Sequence, residues 1–376
     1  MGISKNSESN SDIETKPGPL SAIRRRGWPA WVALLIVIVL IVEVILICGS
    51  SSLFNLIIPI AADLERPTDP TTTRTAVNSI AFSPDQVILA TGSGDGVVRL
   101  WQMVDGSLMR PLKASDRPIS SIAFSPDGSF LAVGAWDGRV SLWQSDAGYL
   151  HSQILFDHPV RSIAYHPQQD VIAVGTLAGK LYLWEPLTGL SPLELDGHTD
   201  WINQLRFSPN GDLLASAGND GQIRLWDSIT GQLNLALKPQ DNEILDVVFA
   251  PSGDVLVNAS FDQGLTFWQI PRGDLLNKGH YQSPIWKLDF SHDGQWLAIG
   301  SQGFMDLWQF TDGTVIRTSQ TPWPRTTRSS SLPSLLSLAF APSENLLAVG
   351  ARDGRVILWQ VEGDGNLSVT RDWFVE

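Results

Sequence analysis

From Ala76 onward the chain alternates apolar and polar residues in short bursts, each closed by a cluster of Gly, Asp, Asn or Pro. The clearest stretch is Trp201 to Asp227, WINQLRFSPNGDLLASAGNDGQIRLWD, with three such bursts broken at SPNGD and GNDG. Alternation with a period of two puts successive side chains on opposite faces. It predicts three half-buried antiparallel strands joined by tight turns. The stretch recurs seven times, and a Trp closes each third strand: Trp101, Trp143, Trp184, Trp226, Trp268, Trp308 and Trp359. The intervals are 42, 41, 42, 42, 40 and 51 residues. A fixed period of this size marks a repeated supersecondary unit whose apolar faces are buried only against its neighbours. Seven periods fill residues 76–376, which predicts one large closed domain.

The first 75 residues follow other patterns. Residues 1–27 are polar, Ser-rich and without period up to the Arg24–Arg26 run, and read as a disordered tail. A stretch that is apolar but for Glu43 then runs from Trp28 to Ile47. Its 20 residues suffice to cross about 30 Å of hydrocarbon as a helix, so residues 28–49 are read as a transmembrane helix. Trp28 and Trp31 suit the membrane interface, and Pro29 falls in the first turn, where its missing N–H costs nothing. Three arginines precede the span and only Arg66 follows it closely, which places the tail in the cytoplasm and the repeats outside it. Glu43 lies one turn from the end and reads as snorkelling toward water. Two other readings stay open: a signal peptide cleaved near Ala62, and lipid attachment at Cys48, the only cysteine. Residues 50–75 read as a juxtamembrane segment and an extended, Pro- and Thr-containing linker.

The seven copies share the pattern IAFSPDG-x-LAVG-x-DG-x-V-x-LW, and over about four-fifths of the chain this resembles the WD-repeat family. The resemblance implies an all-β fold, a seven-bladed β-propeller of four-stranded antiparallel blades, here preceded by one N-terminal transmembrane helix. Blade one is expected to have strand a at Val77–Ser83, b near Val87–Ser93, c near Val97–Met103 and d near Ser107–Leu112. Many members of that family lend an N-terminal strand to the last blade. Here Asn366–Phe374 follows strand c of blade seven and is expected to complete that blade from the C-terminus. The family also stiffens each blade with a His, a Ser or Thr, an Asp and the strand-c Trp. Only blade four keeps all of them, as His198, Ser216, Asp220 and Trp226, and these are read as structural. Blade three has Ala178 at the Asp position, and blade six is one residue short at Ser301-Gln302-Gly303.

Composition narrows the function classes. A net charge of -13 argues against a nucleic-acid partner, which needs a basic footprint. The six histidines are scattered, with no HExxH or paired His/Cys spacing, so no metal site is expected. No nucleophile elbow, phosphate-binding loop or dinucleotide fingerprint is present. No cofactor is expected, and the chain is read as a non-enzyme. Asn258-Ala-Ser260 and Asn366-Leu-Ser368 fit the glycosylation pattern, which matters only in a secretory pathway.

What remains is recognition. In a propeller the d–a and b–c loops share one face, and the resemblance implies that partners use it. Three positions per blade are expected to point there: the residue opening strand a, the one two further on, and the one before the turn Asp. They include Trp136, Arg161, Leu177, Trp201, Asn203, Leu245, Phe261, Trp286, Leu336 and Arg352. Large aromatics with arginines make an interface-like composition. The long last interval places SQTPWPRTTRSSSLP, Ser319–Pro333, on the same face, with Trp323, Arg325 and Arg328. The expected function is therefore a membrane-anchored, non-catalytic scaffold for a protein or peptide partner. The rival is a propeller that binds a small ligand or cofactor in its channel, with or without catalysis.

Overall fold

The computed structural model describes residues 75–375, apart from 240–241, 263, 282–283, 302–303, 312–313 and 323–333, with the backbone alone over 314–322. The expected tail, the span at 28–49, Glu43, Cys48, most of the linker, the short turn at Gln302-Gly303 and the loop residues Trp323, Arg325 and Arg328 lie outside that set. Among the described residues no helix is long and apolar enough to cross a membrane.

Seven sheets follow one another along the chain, each of four antiparallel strands in sequential order. In blade one the strands are Val77–Phe82, Ile88–Ser93, Val97–Gln102 and Leu108–Lys113, within one or two residues at each end of the sequence reading. Inner strands recur at Ile119–Phe124, Val160–Tyr165, Ile202–Phe207, Ile244–Phe249, Ile285–Phe290 and Leu335–Phe340. Each lies beside the next, and the seventh lies beside the first, so the ring closes around a central channel. Blade seven takes its outer strand, Leu367–Phe374, from the C-terminus, paired with Arg355–Val361. Among the described residues no strand is exchanged between the chain ends; Val77–Phe82 belongs wholly to blade one.

The core is therefore not inside the blades but between them. Seven apolar clusters each join two neighbours. One joins Leu181 and Leu195 of blade three to Ile202, Leu214 and Trp226 of blade four. The closing one joins Val77, Phe82 and Trp101 of blade one to Ala348, Val356 and Leu358 of blade seven. Trp101 also meets Trp373, their ring centroids 5.7 Å apart.

The inner strands carry a signal that strict alternation misses. In every inner strand the first and fourth residues are buried and apolar, and the sixth is an aromatic that is buried or half-buried, as in Val77, Ile80 and Phe82. A spacing of three cannot keep both residues on one face of a regular strand. A bulge resolves the conflict, and all seven inner strands have one at the second residue. The first residue is then free to point into the junction with the preceding blade. It is branched in every blade and at most 1% exposed.

That branched residue sits over a glycine in strand b of the preceding blade. A Cβ on Gly92 would lie 2.6 Å from Ile119 Cγ2, and one on Gly175 would lie 2.7 Å from Ile202 Cγ2. At the closing junction a Cβ on Gly350 would lie 2.5 Å from Val77 Cγ1. These glycines serve close approach rather than turning. Blades four and five carry Ala217 and Ala259 there, packed in the clusters that hold Ile244 and Ile285.

Hydrogen bonds stiffen the blades unevenly. In blade four His198 Nδ1 meets Asp220 Oδ1 at 2.8 Å, His198 Nε2 meets Ser216 Oγ at 2.7 Å, and Trp226 Nε1 donates to the same Oγ at 2.9 Å. A carboxylate only accepts, so Nδ1 carries the proton, and the Ser216 hydroxyl donates to Nε2. Burial pushes the His198 pKa down, although Asp220 opposes it, which keeps the ring neutral. Burial opposes ionisation of Asp220, but His198, Arg224 and the Thr199 N–H together hold its carboxyl far below the usual range. The Trp bond survives elsewhere with other partners: Thr91 in blade one, Ser141 in blade two and Asn258 in blade five. In blade two Ser115 stands in for the His and donates to Asp137 at 2.7 Å. Asn258 is 0% exposed, so this glycosylation match is closed to modification in the folded protein.

Gly350→Ala is expected to destabilise the protein by about 2–3 kcal/mol, as overpacking at a tight contact does. Gly175→Ala should cost a similar amount, because the closing junction is built like the internal ones. Denaturant unfolding of both variants checks this. A Gly350→Ala cost near zero beside a large Gly175→Ala cost would show a looser closing junction.

Candidate functional site

One end of the ring gathers the expected rim positions through a repeated backbone bond. The residue before the turn Asp donates its N–H to the carbonyl of the residue preceding strand a. The pairs are Gly94 with Ala76, Trp136 with Pro118, Leu177 with Pro159, Asn219 with Trp201, Phe261 with Glu243 and Arg352 with Ser334. The bulge residues Arg161, Leu245, Trp286 and Leu336 stand beside them, one per blade. Bulges re-aim side chains, and here they occupy equivalent places around the channel mouth.

The rim is not uniform. Arg161 and Arg352 are exposed, while Trp136, Leu177, Trp201, Leu245, Phe261, Trp286 and Leu336 are half-buried. The indole N–H of Trp286 is buried without a hydrogen-bond partner among the described residues. Asn203 departs from the expected exposed rim side chain. It is 6% exposed, and its amide donates to Ile244 O of the next blade at 2.9 Å and to Asn219. Asn78 makes the same bond to Ile119 O, so an Asn in the bulge clips neighbouring blades together. From Trp136 in blade two to Trp286 in blade six, each blade adds at least one aromatic or Leu to the arc.

Below the rim, the third and fifth residues of each inner strand form the channel wall. In blades seven, one, two and three they are Ser and Ala only: Ser337 and Ala339, Ser79 and Ala81, Ser121 and Ala123, Ser162 and Ala164. The serines bridge neighbours, as when Ser79 Oγ accepts the Ile122 N–H at 3.1 Å. Blades four to six instead bring Gln204, Arg206, Asp246, Lys287 and Asp289. Lys287 Nζ donates to Gln204 Oε1 at 2.9 Å and lies 3.9 Å from Asp246 Oδ2, while Arg206 lies 4.0 Å from Asp289 Oδ1. The bond from Lys287 to Gln204 skips a blade and runs across the channel. Nothing in the repeat pattern foretold this one-sided wall, because its members lie in three separate repeats.

Desolvation governs the wall. Protein surrounds these groups on most sides even where water reaches them through the channel. Burial lowers the pKa of Arg161 and of Lys287, and Asp246 opposes both shifts. Burial raises Asp289 to about 6, against the pull of Arg206. Among the described residues no group of three or more His, Cys, Asp or Glu could hold a metal ion.

The repeats themselves place the chain among known proteins. The family described as WD domain, G-beta repeat (WD40) matches residues 69–102, 106–144, 150–185, 190–227, 273–315 and 325–360. The chain belongs to the WD40 family. The match passes over residues 228–272, yet that stretch supplies three strands of blade five, Ile244–Phe249, Val255–Ser260 and Gly264–Gln269. This WD40 ring is similar to the β-propeller domain of Cps50 (Swd1) from Myceliophteria thermophila. The two share 19% identity with a TM-score of 0.68, over 77% of this chain and 99% of that one. At that identity the likeness shows the fold alone. No curated protein matches the sequence.

Asp289→Asn is expected to flatten part of the pH dependence of stability. An ordinary carboxyl near 3.9 loses its proton in the unfolded chain before Asp289 does in the folded one, so stability falls as pH rises from about 4 to about 6. The Asn side chain keeps an oxygen to accept the Phe340 N–H, which Asp289 Oδ2 accepts at 2.7 Å. The wild type should lose roughly 1–2 kcal/mol relative to the variant across that window. Parallel pH profiles for the two proteins would contradict the assignment.

Proposed function

We propose that this WD40 protein is a non-catalytic scaffold, anchored in a membrane by residues 28–49, whose d–a/b–c face holds a protein or peptide partner. The observation that carries this reading is the apolar arc at one end of the ring, from Trp136 through Trp201 and Phe261 to Trp286. Large aromatic side chains that are partly open to solvent gain most from a partner that removes the remaining water. Arg352 and Arg161 give the same rim charged anchors. The net charge of -13 disfavours a nucleic-acid backbone as that partner.

The anchor is read from the 20-residue stretch Trp28–Ile47, apolar but for Glu43, behind three arginines, which also direct the ring to the outside of the cytoplasm. Cofactors have no part in the reading. The ring holds a shape, and the loops at one end supply the contacts.

Replacing Trp201, Phe261 and Trp286 by Ala together should abolish capture of the natural partner from native membranes while leaving thermal unfolding within a few degrees of wild type. Full capture by a folded triple variant would place the partner elsewhere. Separately, the full chain should stay with membranes after an alkaline wash, and deletion of residues 28–47 should release it. Release of the full chain by the same wash would contradict the anchor.

A further inference from the structure

Hydrogen-bonding capacity in the channel does not balance. Three cations, Arg161, Arg206 and Lys287, face two carboxylates, Asp246 and Asp289. The carboxylates are already occupied. Asp246 accepts the N–H groups of Val247 at 2.9 Å and Leu288 at 2.8 Å, and Asp289 accepts that of Phe340. Lys287 and Arg206 have these acids as neighbours at 3.9 and 4.0 Å. Arg161 makes no hydrogen bond and no ion pair among the described residues, although Asp246 lies within its electrostatic reach. A guanidinium offers five donors and accepts none, so an anion is the group that completes this wall.

Arg161 also stands where a visitor would reach it. It is exposed at a bulge on the docking rim, and the wall of Lys287 lies within its field. At the third and fifth positions of their inner strands, blades seven, one, two and three carry only the small residues Ser and Ala.

We propose that the channel mouth takes an acidic side chain, Asp or Glu, of a partner peptide, seated against Arg161 and Lys287. This rests on the docking-face reading above and names the chemistry of the partner. A free small anion fits less well, because the protein carries a net charge of -13 and repels anions at a distance. Apolar contact on the rim offsets that repulsion, and a peptide can supply it. A peptide's terminal carboxylate also fits less well. Apolar rim residues lie on both sides of Arg161, with Trp136 of blade two on one and Trp201 of blade four on the other, which suits a chain that continues past the acid in both directions.

The test uses the full chain in detergent and fluorescent nine-residue peptide pools with amidated ends. Flanking positions are mixtures of Trp, Phe, Leu and Ser, and the central residue is Glu, Gln or Lys. The Glu pool should bind about tenfold tighter than the Gln pool, as a charge-assisted pair allows, and the Lys pool should bind weakest. Arg161→Gln should bring the Glu pool down to the level of the Gln pool, erasing the preference between them. Its melting temperature should match wild type, since Arg161 is exposed and makes no hydrogen bond. Equal binding of the Glu and Gln pools, a Glu preference that survives Arg161→Gln, or binding of no pool overturns the inference. Tighter binding of a Gln-centred pool with a free C-terminus, or of free glutarate, than of the Glu pool overturns the choice of an internal side chain. The triple alanine variant separates the two readings. Loss of all pools supports the rim, whereas full binding by that variant with the Glu preference intact removes the rim and keeps the channel.

Discussion

The contact on which the ring depends is a branched side chain seated over a glycine, or at two junctions an alanine, of the preceding sheet. A four-stranded blade has two apolar faces and cannot bury either by itself. It needs a neighbour on each side, and the neighbour must come close. Val160 over Gly134, Ile202 over Gly175 and Val77 over Gly350 are the same contact at successive junctions. Because the last of these joins blade seven to blade one, the ring needs no strand exchanged between its ends. Side-chain packing closes it, with Ser337 Oγ donating to Val77 O at 3.1 Å and Trp373 packed on Trp101.

Closure has a consequence for recognition. A bulge at the second residue of each inner strand lets the first residue turn into the junction, and it leaves the second residue at the channel mouth. One irregularity thus serves packing and presentation together. Where the bulge residue is Asn, as at Asn78 and Asn203, it is spent on clipping blades. Where it is Arg161, Leu245, Trp286 or Leu336 it is left for the rim. The same strands set the channel wall, so the charged half of the channel and the aromatic half of the rim belong to overlapping blades.

Much of this was legible in the chain before any coordinates. The recurring Trp and the Asp-Gly turns mark the blades, because period-two alternation and turn chemistry are local. The outer strand of blade seven was legible as well, since Leu367–Phe374 has nothing else to pair with than its own strand c. The bulge was encoded in the spacing of Val77, Ile80 and Phe82, but reading the stretch as plain alternation hides it. The close-approach role of the strand-b glycines was hidden, because the side chain that needs their space lies in the following repeat. The role of Asn203 and the wall of Arg206, Asp246, Lys287 and Asp289 were not legible at all. They depend on which residues the closed ring brings face to face.

Native-state hydrogen exchange on the full chain tests the closure directly. If packing at the seventh junction equals that at the others, the ring has no weak end. Amides of Val77–Phe82 and Leu335–Phe340 should then exchange only through global unfolding, with the same free energy as those of Ile202–Phe207. Exchange of the first and last blades through a separate opening of lower free energy, while blade four stays protected, would contradict the account.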